Sequence, residues 1–139
     1  MVNYNFIIGL VIYSILSINS IGQKSNSLID SQFSKLLIKA TGAKISGDLY
    51  TADSLYKKCL ELNPNSGVVN FELSGIYRSK EDLKRAIKFA EISVASSPKN
   101  EWYLANLALL YNENKSYRKS SDVFLKLTQI KPEKITYLF

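Results

Sequence analysis

The sequence predicts an all-α protein, a right-handed α-solenoid of helix-turn-helix pairs with a 34-residue period. Three observations predict it. The three prolines, Pro64, Pro98 and Pro132, are evenly spaced at a 34-residue interval. Residues able to cap a helix recur in phase with them, since Asp48, Asp82 and Ser116 each stand sixteen positions before a proline. Between the prolines, apolar side chains fall mostly at steps of three and four, which gathers them on one stripe of a helix; no strand pattern competes. A fixed period of about 20–50 residues marks stacked repeats, each of which buries its apolar face only against a neighbour.

The chain has 139 residues, 46% hydrophobic and 22% charged, a balance that excludes a disordered polypeptide. Its first five residues carry no Lys or Arg, and an apolar run follows from Phe6 to Ile18. Thirteen helical residues span about 20 Å, short of a bilayer core of about 30 Å. That length suits the apolar region of a secretory signal. Ser20 and Gly22 place small residues three and one before Gln23, so residues 1–22 are expected to be a signal peptide. An uncleaved membrane anchor is the alternative. Residues 23–30 are expected to form a short linker. Cys59 is the lone cysteine, so no internal disulfide can form.

Three units are expected over 31–132, at about 33–66, 67–100 and 101–134. In the first, Gly47-Asp48 is a helix-to-helix corner, where glycine can take a positive φ and Asp48 caps the second helix. Ala52 and Tyr56 then mark the packed face. Asn63-Pro64-Asn65-Ser66 is turn chemistry, with Ser66 placed to cap the next helix. The second unit carries Phe71, Leu73, Ile76 and Tyr77 on its first helix and Leu83, Ala86, Ile87 and Ala90 on its second. Asn100 is placed to cap the first helix of the third unit, which carries Leu104, Leu107, Ala108 and Tyr111. Tyr117, Phe124 and Leu127 form the stripe of its second helix. Tyr137 and Leu138 align with Tyr103 and Leu104, so 133–139 are expected to start a fourth, truncated unit of a longer array.

These residues resemble the tetratricopeptide repeat family. With the proline at position 32 of the unit, the family prefers large apolar residues at 4 and 7, small at 8 and Tyr at 11. It then prefers small at 20, aromatic at 24 and small at 27. The third unit supplies Leu104, Leu107, Ala108, Tyr111, Ser120 and Phe124 at the first six of these places. The departures are Lys39 and Asn70 for apolar residues, Ala90 for an aromatic and Leu127 for a small one. The resemblance covers roughly residues 30–139 and implies close helix approach at Ala40, Ala52, Ala86 and Ala108. Residue usage rich in Ile, Lys, Asn and Ser is similar to that of exported Bacteroidetes repeat proteins.

The resemblance also implies a concave groove lined by the first helix of each unit. Its lining would include Leu37, Ile38, Lys44 and Ile45, then Val68, Phe71, Glu72 and Arg78, then Trp102, Asn106, Leu109 and Glu113. Leu37, Lys44, Phe71, Arg78, Trp102, Asn106 and Leu109 are the candidate peptide-binding residues. Lys44 and Arg78, equivalent in the period, would favour a partner with apolar anchors and an acidic flank. Trp102 can equally be a packing residue at a repeat junction, and Phe71 a core residue. The branch of the family that reads a terminal carboxylate uses Lys and Asn where this chain has Leu37, Thr41, Glu72 and Trp102. That clamp is absent.

The formal net charge of +6 is spread singly and in pairs rather than in blocks, which argues against nucleic acid as a partner. The chain has no histidine, the commonest general base and metal ligand, and no glycine-rich phosphate loop. Neither catalysis nor a cofactor or metal is expected. The function expected is a protein- or peptide-binding scaffold of the bacterial cell envelope, exported to the periplasm. It would meet a membrane only through an unprocessed N-terminal segment. A periplasmic sensor arm, with membrane and output domains beyond residue 139, is the alternative.

Overall fold

No proline or glycine lies between Gln23 and Thr41 to stop a helix from starting early. In the computed structural model, which describes residues 26–130, residues 26–45 are helical (α1). Residues 26–30, expected as linker, therefore belong to a helix. The expected signal peptide, residues 23–25 and the fourth-unit start at 133–139 lie outside the described residues. The chain divides into two compact units, Met1–Lys35 and Leu36–Phe139. In the first, the described residues 26–35 are helical and almost all exposed.

The second unit adds α2 (Leu49–Leu62), α3 (Gly67–Ser79), α4 (Leu83–Ser96), α5 (Glu101–Glu113) and α6 (Tyr117–Ile130). The described residues contain no strand. Helices α2, α4 and α6 start and end in step with the 34-residue period, and so do α3 and α5. Helix α3 packs on α4 and α5 on α6 within a repeat, while α2 meets α3 and α4 meets α5 between repeats. Each helix thus buries its stripe against its chain neighbours. The fold is an all-α solenoid of helix pairs.

The corners repeat as closely as the helices. Gly47, Glu81 and Lys115, at the 34-residue interval, all take positive φ values of 85°, 60° and 58°. Behind each, the next residue's N–H closes the finished helix: Asp48 to Ala43 O at 2.9 Å, Asp82 to Tyr77 O at 2.9 Å, and Ser116 to Tyr111 O at 2.8 Å. This is the left-handed helix stop that glycine adopts without strain. Two of the three corners hold residues with a Cβ. Asp48 Oδ1 then accepts the Thr51 N–H at 3.0 Å, and Asp82 Oδ1 the Arg85 N–H at 2.9 Å, as capping predicts. Asn100 Oδ1 accepts from Trp102 and Tyr103 N–H at 3.0 and 3.3 Å. Ser66 differs from expectation, making no side-chain cap bond. Asn70, one turn on, serves the turn instead: its Nδ2 donates to Ser66 O at 2.9 Å and Pro64 O at 3.2 Å. An amide at this core position is thus the turn's buried anchor.

Small residues recur, in phase with the period, at buried positions of the helix faces. Ala40, Ser74 and Ala108 are fully buried at the 34-residue interval, as are Ala52 and Ala86, with Ser120 only 4% exposed. Ser120 Oγ donates to Ala108 O at 2.8 Å, joining α6 to α5. Tyr56, Leu73, Ile76, Leu104 and Leu110 fill the core, each contributing about 1.5–3 kcal/mol by burial. The stripe of α6 is Ser120, Val123 and Leu127; Tyr117, expected there, is 63% exposed. Its equivalents Leu49 and Leu83 are half-buried because α3 and α5 follow them, whereas no described helix follows α6.

Candidate binding face of the first helices

Helices α1, α3 and α5 are the first helices of the three units and are joined side chain to side chain. Lys44 on α1 forms an ion pair with Glu72 on α3. Arg78 on α3 forks onto Glu113 on α5, with Nε 3.0 Å from Oε2 and a second bond from Nη2 to Oε1. Asn106 Nδ2 on α5 donates to Ser74 Oγ on α3 at 2.7 Å, and that hydroxyl donates to Phe71 O at 2.7 Å. The Phe71 ring lies 5.3 Å from the Tyr103 ring, tilted by 32°. Each of these links between helices spans roughly one period, and they bring residues 36–45 of α1 and helices α3 and α5 side by side.

The seven residues singled out in the sequence fall into two groups. Phe71, Arg78 and Asn106, with Lys44, are tied into contacts between neighbouring first helices. Trp102 and Leu109 are exposed, at 66% and 37%, and Leu37 is half-buried. Val68, the equivalent of Trp102 one unit earlier, is also open at 41%. Ile38 and Ile45 continue the exposed apolar set on α1. Lys44 and Arg78, expected to meet an acidic flank of a partner, each already face a carboxylate of the next unit. The carboxylates Glu72 and Glu113 lie 28 and 35 residues from their cations. Only the 34-residue ruler, applied across helices, could have suggested those pairings. Tyr103, the ring partner of Phe71, carried no such signal.

Burial raises the Tyr103 phenol, and nearby Glu72 adds to the shift. Burial likewise raises Tyr56, although its hydroxyl lies 3.3 Å from Thr41 Oγ1. Such phenols stay neutral across physiological pH and offer hydrogen bonds rather than charge. Among the described residues, no group of His, Cys, Asp and Glu could hold a metal ion. The face offers apolar area, amides and paired charges. That is recognition chemistry.

A further set of cations lies over aromatic rings of the first helices, Tyr77 on α3 and Tyr111 on α5. Lys57 Nζ, Lys80 Nζ and Arg85 Cζ lie 5.6, 5.4 and 4.4 Å from the centre of the Tyr77 ring, which stacks on Phe89. One period later, Lys119 lies over Tyr111 at 5.3 Å. Burial alone would raise the Asp53 carboxyl, but bonds from Lys57 and Lys80 outweigh it and hold it below its usual range. These cations are packing elements of the repeat as well as solvated charges.

No family model matches the chain, and no curated protein matches it in sequence. Solved structures do match. The Sgt2 TPR domain of Aspergillus fumigatus is 18% identical, with a TM-score of 0.66 over 73% of this chain and 68% of that one. The first TPR of Spaghetti (RPAP3) bound to HSP90 peptide SRMEEVD is 13% identical, with a TM-score of 0.68 over 74% and 82%. The fold is that of a tetratricopeptide-repeat domain. MamA from Desulfovibrio magneticus RS-1 is 23% identical over 76% of this chain, with a TM-score of 0.68, and the match spans 59% of that chain. Lys39 is exposed, and two of the other departures from the expected tetratricopeptide pattern, Asn70 and Ala90, are fully buried. Packing therefore accommodates both departures. Among the described residues, no helix is long and apolar enough to cross a membrane.

Proposed function

We propose that this chain is an exported tetratricopeptide scaffold that holds a polypeptide segment on the face of α1, α3 and α5. The observation that carries this is the apolar area left open there: Val68, Trp102 and Leu109, beside half-buried Leu37 and Phe71. Large exposed apolar groups on one face of a stacked array are the usual anchors for a helix or extended peptide. That a similar solved fold is bound to a peptide supports the reading. Binding needs no chemistry, and a chain without histidine is poorly equipped for acid–base catalysis. Nucleic acid is a poor fit to this face, whose cations Lys44 and Arg78 are each paired with a carboxylate.

The place of action is the cell envelope, argued from the apolar run Phe6 to Ile18 and the small residues Ser20 and Gly22. Any membrane association would run through that segment, left unprocessed. N-terminal sequencing of protein recovered after expression in a Gram-negative host tests this. A terminus at Gln23 in the periplasmic fraction is expected; an intact Met1 terminus in the cytoplasm would refute export. For binding, a photocrosslinking residue at position 102 or 109 should trap a polypeptide, whereas one at 50 or 125 on the second helices should not. Equal trapping from both faces would sink the face assignment.

A further inference from the structure

The charges of the array are sorted by helix. The first helices, α3 and α5 with residues 36–45 of α1, carry three carboxylates, Glu72, Glu101 and Glu113, against three cations, Lys39, Lys44 and Arg78, a net charge of zero. Helices α4 and α6 carry six cations, Lys84, Arg85, Lys88, Arg118, Lys119 and Lys126, against Glu91 and Asp122, a net charge of +4. The excess positive charge of the described repeats thus lies off the face that exposes Val68, Trp102 and Leu109. On that face the two cations expected to receive an acid are held by Glu72 and Glu113. An incoming carboxylate would have to displace one of these glutamates from its cation and leave it unpaired beside a like charge. Juxtaposed like charges disfavour a complex much more than exposed pairs favour one.

Resting on the binding reading above, we infer that this face accepts an apolar polypeptide segment that brings no carboxylate to it, and that the Lys44–Glu72 and Arg78–Glu113 pairs reject acid-flanked segments. Apolar anchors of such a segment cover Val68, Trp102 and Leu109. The ion pairs stay intact along the C-terminal ends of α1 and α3. Glu72 and Glu113 then serve as specificity residues: they occupy the cations so that a ligand carboxylate cannot. The peptide SRMEEVD, held by a domain of the same fold, carries three acidic side chains and represents the class excluded here.

The test uses the intrinsic fluorescence of Trp102, the one tryptophan of the chain. Two synthetic peptides share one Leu- and Ile-rich core; one is N-acetylated and C-amidated with no ionisable group, and the other ends in a free Glu-Glu-Val-Asp tail. The uncharged peptide is expected to shift Trp102 emission at concentrations about tenfold or more below those needed by the acidic one. A Glu72→Gln/Glu113→Gln variant, which frees both cations, is expected to bind the acidic peptide about tenfold more tightly at low salt. The readout is the ratio of its affinities for the two peptides, expected to move toward the acidic one relative to the unaltered chain. Helical circular dichroism checks that it folds, and Glu113→Gln alone is the fallback if it does not. Equal or tighter binding of the acidic peptide by the unaltered chain overturns this inference and leaves the face assignment standing. No change in Trp102 emission with either peptide overturns both.

Discussion

Arg78 on α3 reaches across the first-helix face to Glu113 on α5, with its Nε 3.0 Å from Oε2 and a second nitrogen on Oε1. The contact is bidentate, so it sets the rotation of one repeat against the next as well as adding attraction. Both side chains remain partly open to water, at 43% and 34% exposure, and screening limits the strength of the pair. A double-mutant cycle of Arg78→Ala and Glu113→Ala, read by urea denaturation, should give a coupling energy of about 0.5–1 kcal/mol. Raising salt to about 1 M should remove most of it. A coupling indistinguishable from zero at low salt would show that the fork does not join the repeats.

Glu81 and Lys115 hold the same left-handed corner as Gly47. A residue with a Cβ is strained there by about 1–2 kcal/mol, against an entropic cost of about 0.5–1 kcal/mol for fixing a glycine. Glu81→Gly and Lys115→Gly should each therefore raise stability by about 0.5–1 kcal/mol. Gly47→Ala should lower it by a similar amount. The midpoint of thermal unfolding, followed by circular dichroism, checks the three signs together.

Gly67 opens α3 against the end of α4 and the start of α5. A Cβ built there would lie 2.1 Å from Ser96 Oγ and 2.9 Å from a carbon of the Tyr103 ring. Ser96 Oγ is itself held, donating to Ser93 O at 2.7 Å. Gly67→Ala should destabilise the array by about 1–3 kcal/mol through overpacking of this seam. Adding Ser96→Gly should recover part of the loss. If the double variant is as unstable as the single one, the clash is not the cause.

Tyr111 donates its hydroxyl proton to Glu91 Oε1 at 2.6 Å. Burial first, and then this carboxylate, push its pKa up to about 12 from an ordinary value near 10. A group whose pKa is raised in the folded state stabilises the fold below its unfolded pKa, and that contribution fades as pH rises through the folded value. The window here is about pH 10 to 12, and the linked loss is about 2 kcal/mol. Tyr111→Phe should lose stability at pH 7 yet fall less steeply across that alkaline window. Parallel slopes in urea denaturation of the two proteins would contradict the assignment.

The repeat was legible because it is written locally. Three prolines at one interval, Asp48 and Asp82 as caps, Gly47 at a corner and small residues at the helix contacts each follow from the chemistry of a few neighbouring residues. Even there, local reading went astray where a nearby group took over the role, as Asn70 does for the turn that Ser66 was expected to cap. The binding face was legible only as a set of positions. Lys44 and Arg78 read as available because the nearest carboxylates in sequence, Asp48, Glu81 and Asp82, belong to the corner that follows each helix. Their partners Glu72 and Glu113 come from the following repeat and meet them only once the helices are laid side by side. The same holds for Phe71 against Tyr103 and Asn106 against Ser74. The sequence by itself determined the period, the helix pairs and most of their caps, since backbone turns and stops answer to local residues. Tertiary structure alone decided which charges are satisfied and which apolar groups stay open, because that depends on the rotation and register of helices a full repeat apart along the chain.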